Sequence, residues 1–129
     1  MPRDPAGEAH TVQWTLAALN SIEMVSVPWW FLNMTGAENK DLTGWFGKRL
    51  EHMERVLGEK EWLAAGRFTV ADLLMADVLR ISAVRAFGNR PKTEAYLTRV
   101  TGRPAFKKAH ADQLAHFEAA DKKRGQAQT

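Results

Sequence analysis

The chain has 129 residues, of which 45% are apolar and 26% are charged, and this is the composition of one ordinary globular domain. Length and composition exclude a collagen, a low-complexity disordered chain and a membrane channel. The absence of cysteine excludes disulfides, zinc–thiolate sites, iron–sulfur clusters and a cysteine nucleophile. The net charge of +3 comes from scattered basic residues, so we predict no nucleic-acid partner.

No targeting pattern is visible in the sequence. The first ten residues contain two prolines, an aspartate and a glutamate, which is unlike a signal peptide. The longest apolar stretch, around residues 25–32, is too short to cross a bilayer. We therefore expect a cytoplasmic protein without a membrane partner.

The first predicted element follows a lead-in, residues 1–7, which is rich in helix breakers and resembles a linker. Apolar residues then recur at helical spacing, which predicts one helix of about 25 residues beginning near Glu8. Glu8 suits the positive end of the helix dipole. Pro28 lacks an N–H and clashes with the preceding turn, so we expect a kink or fraying near Val27.

A second helix is predicted over residues 42–57, with Gly58 as the residue just after its end. Its apolar positions have spacings of i, i+3, i+4, i+8, i+11 and i+15: Leu42, Trp45, Phe46, Leu50, Met53 and Leu57. Residues 58–68 then form a connector that contains the apolar pair Trp62 and Leu63.

The strongest local signal in the chain is a capping box at the start of the third predicted helix. Thr69 stands three residues before Asp72, so each side chain can bind the backbone N–H of the other. Phe68 and Leu73 occupy the positions of a hydrophobic staple. The helix that follows, residues 70–86, is apolar nearly all round, which predicts a position in the middle of a helical bundle.

Two more helices complete the predicted domain, over residues 91–100 and 104–120, and residues 121–129 form a polar tail that we expect to be frayed. No segment has the alternation of a β-strand. The predicted fold is therefore all-α, a single five-helix domain of orthogonal or up-down type that spans residues 8–120.

Three segments in this order resemble the C-terminal α-helical domain of glutathione S-transferases. They are residues 13–23 (QWTLAALNSIE), 66–77 (GRFTVADLLMAD) and 96–106 (YLTRVTGRPAF). The resemblance extends over about residues 4–118. It implies that the capping box opens the central helix of the domain.

The resemblance also implies that the catalytic residue lies outside this helical domain. Members of this family usually carry a thioredoxin-like N-terminal domain, which holds the catalytic residue and most of the groups that bind glutathione. This chain resembles the second half only, so we expect no catalytic residue here and no conjugation by this chain alone. The resemblance implies glutathione as a co-substrate, a small hydrophobic electrophile as a second substrate, and no tightly bound cofactor.

The first helix lines the electrophile pocket in that family. Carried over by position, Asn20, Glu23, Met24 and Val27 would face this pocket, with Trp14 nearer the start of the helix. Another interpretation of the apolar residues among them is ordinary core packing. For Asn20 and Glu23 the alternative is a buried structural hydrogen bond.

Two classes of function remain open from the sequence. The first is a transferase-like helical domain that contributes the electrophile pocket and an interdomain or dimer surface. The second is a non-catalytic protein-interaction module of the same fold, and a small ligand-binding bundle is a weaker third candidate. The consecutive apolar residues at 29–32 predict an exposed patch that mediates self-association, most simply as a homodimer.

The remaining polar residues predict structural roles. Asp77 lies on the apolar third helix, where we expect it to form an ion pair with Arg80 or Arg85 or to accept from a backbone N–H. No two of the chain's histidines have the i, i+3 or i, i+4 spacing of a helical metal site, so we expect no metal.

Overall fold

The computed structural model describes residues 1–127, and within that range it contains helices and connections but no strand. The predicted all-α class is confirmed. The helices are α1 (Pro5–Ala17), a π-helical segment (Ala18–Glu23), α2 (Met24–Thr35), α3 (Lys40–Glu59), α4 (Val70–Leu79), α5 (Ser82–Arg85), α6 (Pro91–Thr101) and α7 (Pro104–Ala127).

The first helix begins at Pro5, earlier than the predicted start near Glu8, so residues 5–7 are helical and not a lead-in. The Asp4 side chain accepts a hydrogen bond from the Gly7 N–H at 2.7 Å, and Pro5 occupies a position where its missing N–H costs nothing. A Cβ on Gly7 would lie 2.7 Å from Asp4 Oδ2 and 2.9 Å from Pro2 Cβ. These local contacts set the start of the helix.

The first helical rod, formed by α1, the π segment and α2, is irregular at Ala18–Glu23. The predicted kink near Val27 is therefore wrong in place. Pro28 lies inside α2, which continues to Thr35. Pro28 has no N–H, so the carbonyl of Met24 receives no hydrogen bond from it. The wide π winding ends at Glu23, the residue before Met24. The rod therefore changes its winding just ahead of the residue that the proline ring crowds.

Two other predicted boundaries are wrong. Gly58 lies within α3, which ends at Glu59, just before the extended backbone of Lys60 with φ −128°. The third predicted helix is interrupted after Leu79, because Ile81 takes an extended ψ of 129° and α5 restarts at Ser82. No glycine or proline marks this break.

The last helix is longer than predicted. It begins at Pro104 as expected but continues to Ala127, so residues 121–127 of the predicted frayed tail are helical. The last two residues of that tail, 128 and 129, lie outside the described range.

The centre of the bundle is α4, which packs against α1, the π segment and α6. Its Ala71, Met75 and Ala76 are buried, as the apolar pattern predicts. Beside it, α3 packs between α2 and α6. Trp29 was expected in an exposed patch, but it is buried in an aromatic cluster, with ring centroids 5.1 Å from both Phe46 and Phe87.

The first turn of α6 is capped from a different helix. The Glu54 side chain on α3 accepts hydrogen bonds from the backbone N–H groups of Lys92 and Thr93, each at 2.8 Å, and from Thr93 Oγ1 at 2.7 Å. This carboxylate satisfies N–H groups that have no partner inside α6 and so ties the two helices together.

Candidate functional site

The segment between α3 and α4 is held by one buried carboxylate. Asp72 accepts from the Thr69 N–H at 2.9 Å, which forms the capping box, and from the Leu63 N–H at 3.0 Å. The Tyr96 hydroxyl donates to the same carboxylate at 3.1 Å. Burial, and then the charge of Asp72, raise the pKa of Tyr96, so its hydroxyl stays a neutral donor. Residues 63–69 are therefore fixed to the core.

Two arginines hold the same segment from outside. Arg99 on α6 donates to the Glu61 carbonyl at 3.0 Å and places its guanidinium 5.3 Å from the centroid of Trp62. Arg103 lies 3.8 Å above the Phe68 ring, and the two aromatic rings meet edge to face at 5.5 Å. This arrangement could not be predicted from the sequence, because the arginines and the rings lie far apart in the chain.

A cleft of about 510 Å³ lies between α1 and this fixed segment. Trp14 forms part of the α1 wall and is half-buried. The ammonium of Lys60 stands 5.8 Å from the centroid of the Trp14 ring. The residues that line the cleft are His10, Gln13, Trp14, Lys60, Glu61, Trp62, Leu63, Ala64, Ala65 and Gly66.

A smaller cavity of about 150 Å³ continues along the same side of α1. It shares Gln13 and Trp14 with the larger cleft and adds Arg49 and His52 from α3. Trp14 thus stands between two concave regions, each with basic side chains.

The other four predicted pocket residues are elsewhere. Asn20, Glu23, Met24 and Val27 are exposed, and neither cavity that Trp14 lines includes them. Met24 is 67% exposed and Val27 is 54% exposed, so the core-packing interpretation is wrong for both. The structure therefore does not bring Trp14 together with the other four.

Met24 and Val27 belong to a continuous exposed stripe on the first helical rod. Its successive spacings include one step of i+5, from Leu19 to Met24, which crosses the π segment. A π turn holds more residues than an α turn, so the wider winding keeps both side chains on one face. The exposed stripe comprises Val12, Leu16, Leu19, Met24, Val27, Trp30, Phe31 and Met34.

Polar groups elsewhere are used structurally. Asp77 forms the predicted ion pair with Arg80, with a distance of 2.7 Å, on the exposed side of α4. Among residues 1–127, no three histidine or carboxylate side chains are placed to share a metal ion. In the same part of the chain, no helix combines the length and apolar character needed to cross a membrane.

Part of the chain matches a known protein family. The model described as "Glutathione S-transferase, C-terminal domain" matches residues 37–104, about half of the chain, from just before α3 to the first residue of α7. None of the curated proteins matches the chain significantly.

Proposed function

The chain belongs to the family of glutathione S-transferase C-terminal domains, and we propose that it is the helical half of a transferase-like protein. In this role it contributes one wall of the pocket for a hydrophobic electrophile, together with an interdomain or dimer surface. We propose glutathione as its co-substrate. We also propose that the protein acts in the reducing cytoplasm.

The observation that supports this proposal is the exposed stripe on α1, the π segment and α2. Eight large apolar side chains at roughly half exposure present on the order of 800 Å², about one partner's share of a standard protein interface. Isolated soluble domains rarely leave a contiguous apolar surface of this size without a partner.

We assign different parts of the stripe to different contacts. Met24 and Val27, with the polar Asn20 and Glu23 beside them, form the wall against which an apolar electrophile packs. This wall excludes water and orients the electrophile for attack by the glutathione thiolate, which supplies the bond-making sulfur. We expect this chain to conjugate nothing alone.

A matched pair of methionine variants tests the pocket wall. Met24 and Met34 are both well exposed, at 67% and 61%, but only Met24 lies beside the predicted polar pair. We expect Met24→Asp to weaken binding of an aryl thioether of glutathione about tenfold, because a carboxylate replaces apolar contact, and Met34→Asp to leave it unchanged. Calorimetric titration measures both. Equal effects of the two variants would contradict the pocket assignment.

A matched pair of tryptophan variants tests the dimer surface. Trp30 on the stripe and Trp45 on α3 are 48% and 49% exposed. We expect sedimentation equilibrium to show a dimer that Trp30→Ser dissociates and Trp45→Ser does not, because only Trp30 would be buried between copies. A chain that stays monomeric at high concentration would rule out this surface.

The non-catalytic interaction module remains the second candidate, because the same stripe is wide enough for a protein partner. It would be favoured if Trp30→Ser abolished self-association while no glutathione thioether bound to the parent chain. These two results separate the surface function from the pocket function.

A further inference from the structure

The cleft beside Trp14 is part of a longer trough along α1. A third cavity, lined by Met1, Arg3, Asp4, Ala65 and Arg67, shares Ala65 with the large cleft. The opposite end of the trough reaches Ser21. From Pro5, where α1 begins, to Ser21 the helix rises roughly 24 Å, which is the length of about seven residues of extended chain.

The trough is lined by more cations than carboxylates. Arg3 and Arg67 line one end, Lys60 stands in the middle, and Arg49 lies at the other end, with His10 and His52 between them. Its two carboxylates are Asp4, which accepts from the Gly7 N–H at the start of α1, and Glu61 in the middle. Four cations (Arg3, Arg49, Lys60 and Arg67) face two carboxylates (Asp4 and Glu61), so an acidic ligand meets an excess of cations at the two ends of the trough.

The trough wall is already formed before any ligand binds. The Leu63 N–H donates to buried Asp72 and the Glu61 carbonyl accepts from Arg99, so the first half of the wall is held by hydrogen bonds. Ala65 joins two of the cavities and takes a left-handed backbone with φ 55°, a strained conformation for a residue with a Cβ. Because the wall is already ordered, it loses little conformational entropy when a flexible ligand binds.

The aromatic rings in the trough favour a peptide over a nucleic acid. Lys60 covers one face of Trp14, and Trp14 also packs against the core. Trp62 is enclosed by Phe68 and Arg99. Single-stranded nucleic acids need open aromatic faces for their bases to stack on, and these rings do not provide them. The edge of Trp14 can instead anchor an aliphatic side chain.

We propose that this trough binds an extended acidic peptide segment of a partner protein. The carboxylates of the segment pair with Arg3, Arg49, Lys60 and Arg67, and one apolar side chain packs beside Trp14. No residue of the trough belongs to the exposed stripe, so this site is separate from the proposed electrophile wall and dimer surface.

A charge-reversal pair tests the site directly. The probe is a fluorescein-labelled peptide of about eight residues, rich in aspartate and glutamate with one central leucine; a peptide with the amides in place of the acids is its control. We expect Arg49→Glu with Lys60→Glu to weaken binding at least about tenfold in fluorescence polarisation. The control double variant, Lys48→Glu with Lys107→Glu, changes the net charge equally away from the trough and should lose less than about threefold.

The indole N–H signals of the protein locate the bound peptide. Titration in two-dimensional NMR should shift the signals of Trp14 and Trp62 and leave that of Trp30, on the stripe, in place. Equal loss of affinity in both double variants would reduce the binding to general charge attraction. Failure to bind the acidic peptide, displacement of it by a short uridine oligonucleotide, or shifts centred on Trp30 would each overturn the proposal. If the reversed variant does not fold, Arg49→Gln with Lys60→Gln replaces it.

Discussion

Two helices of this bundle each have a first turn capped by a carboxylate, but the two carboxylates lie at different distances along the chain. The first turn of α4 is capped by Asp72, which lies within that turn and accepts from the Thr69 N–H. The first turn of α6 is capped by Glu54, which lies 38 residues before Lys92. Both carboxylates satisfy N–H groups that a helix leaves unpaired, but only the first pairing is local in the sequence.

The two caps also differ in what else they hold. Asp72 is fully buried and accepts from Leu63 and Tyr96 in addition to its own helix. Glu54 is half-buried and serves only the start of α6. Since an unpaired polar group costs more in the core than near the surface, the local cap should contribute more to stability.

The largest expected effect is the loss of the buried cap. We expect Asp72→Ala to lower the free energy of unfolding by about 3 to 4 kcal/mol, because the buried N–H groups of Leu63 and Thr69 lose their acceptor and the Tyr96 hydroxyl keeps only the backbone carbonyl of residue 72. Urea unfolding followed by circular dichroism measures this loss. As a control, Asp77→Ala removes an exposed ion pair and should cost less than about 0.5 kcal/mol. Similar losses in the two variants would mean that the Asp72 contacts carry no special weight.

The tertiary cap should come next. We expect Glu54→Ala to lower the free energy of unfolding by about 1 to 2 kcal/mol, because the N–H groups of Lys92 and Thr93 lose their acceptor. Amide exchange should accelerate in the first turn of α6 while α4 keeps its protection. Glu51→Ala, on the exposed side of the same helix, is the control. If exchange in α6 were unchanged, the cap would not contribute to stability.

Two substitutions in the segment that Asp72 holds should have smaller effects on the free energy of unfolding, and these effects should have opposite signs. Ala65 and Gly66 both have left-handed backbones, with φ 55° and φ 61°. We expect Ala65→Gly to raise the free energy of unfolding by about 1 kcal/mol, because glycine relieves the strain, and Gly66→Ala to lower it by a similar amount. A Cβ at Gly66 meets no atom within 4 Å, so its cost is conformational alone. Thermal unfolding of both variants checks the opposite signs.

The smallest effect is a pH dependence of the tertiary cap. Partial burial acts to raise the pKa of Glu54, but hydrogen bonds from Lys92 and Thr93 outweigh it and hold the pKa below its usual value. The folded state therefore binds fewer protons here than the unfolded state. The stabilisation is complete above the ordinary glutamate pKa and is lost as the pH falls through the lower, folded value.

A single substitution isolates this titration. The difference in unfolding free energy between the parent chain and Glu54→Gln should shrink as the pH is lowered from neutrality through the glutamate range. Urea titrations at each pH measure the difference, and the contribution of the Arg85–Glu94 pair cancels because both chains contain it. A difference that stays constant with pH would show that the cap does not depend on the charge of Glu54.

The candidate sites show how far local pattern extends. Asn20, Glu23, Met24 and Val27 were selected by position on the first helix, and the structure places them on one exposed rod. Trp14 was selected in the same way but lies in a cleft built with residues 60–66. Its surroundings could not be predicted, because they depend on how a connector folds back over α1.

Local chemistry in the sequence was enough to predict four features: the all-α class, the capping box at Thr69, the helical stripe of α3 and the ion pair of Asp77. In each of these the interacting groups are within a few turns of one helix, so spacing alone brings them together. The cap from Glu54 and the packing of Trp29 against Phe46 were decided by tertiary structure. They depend on groups from separate helices meeting, and such meetings follow from how the whole core packs.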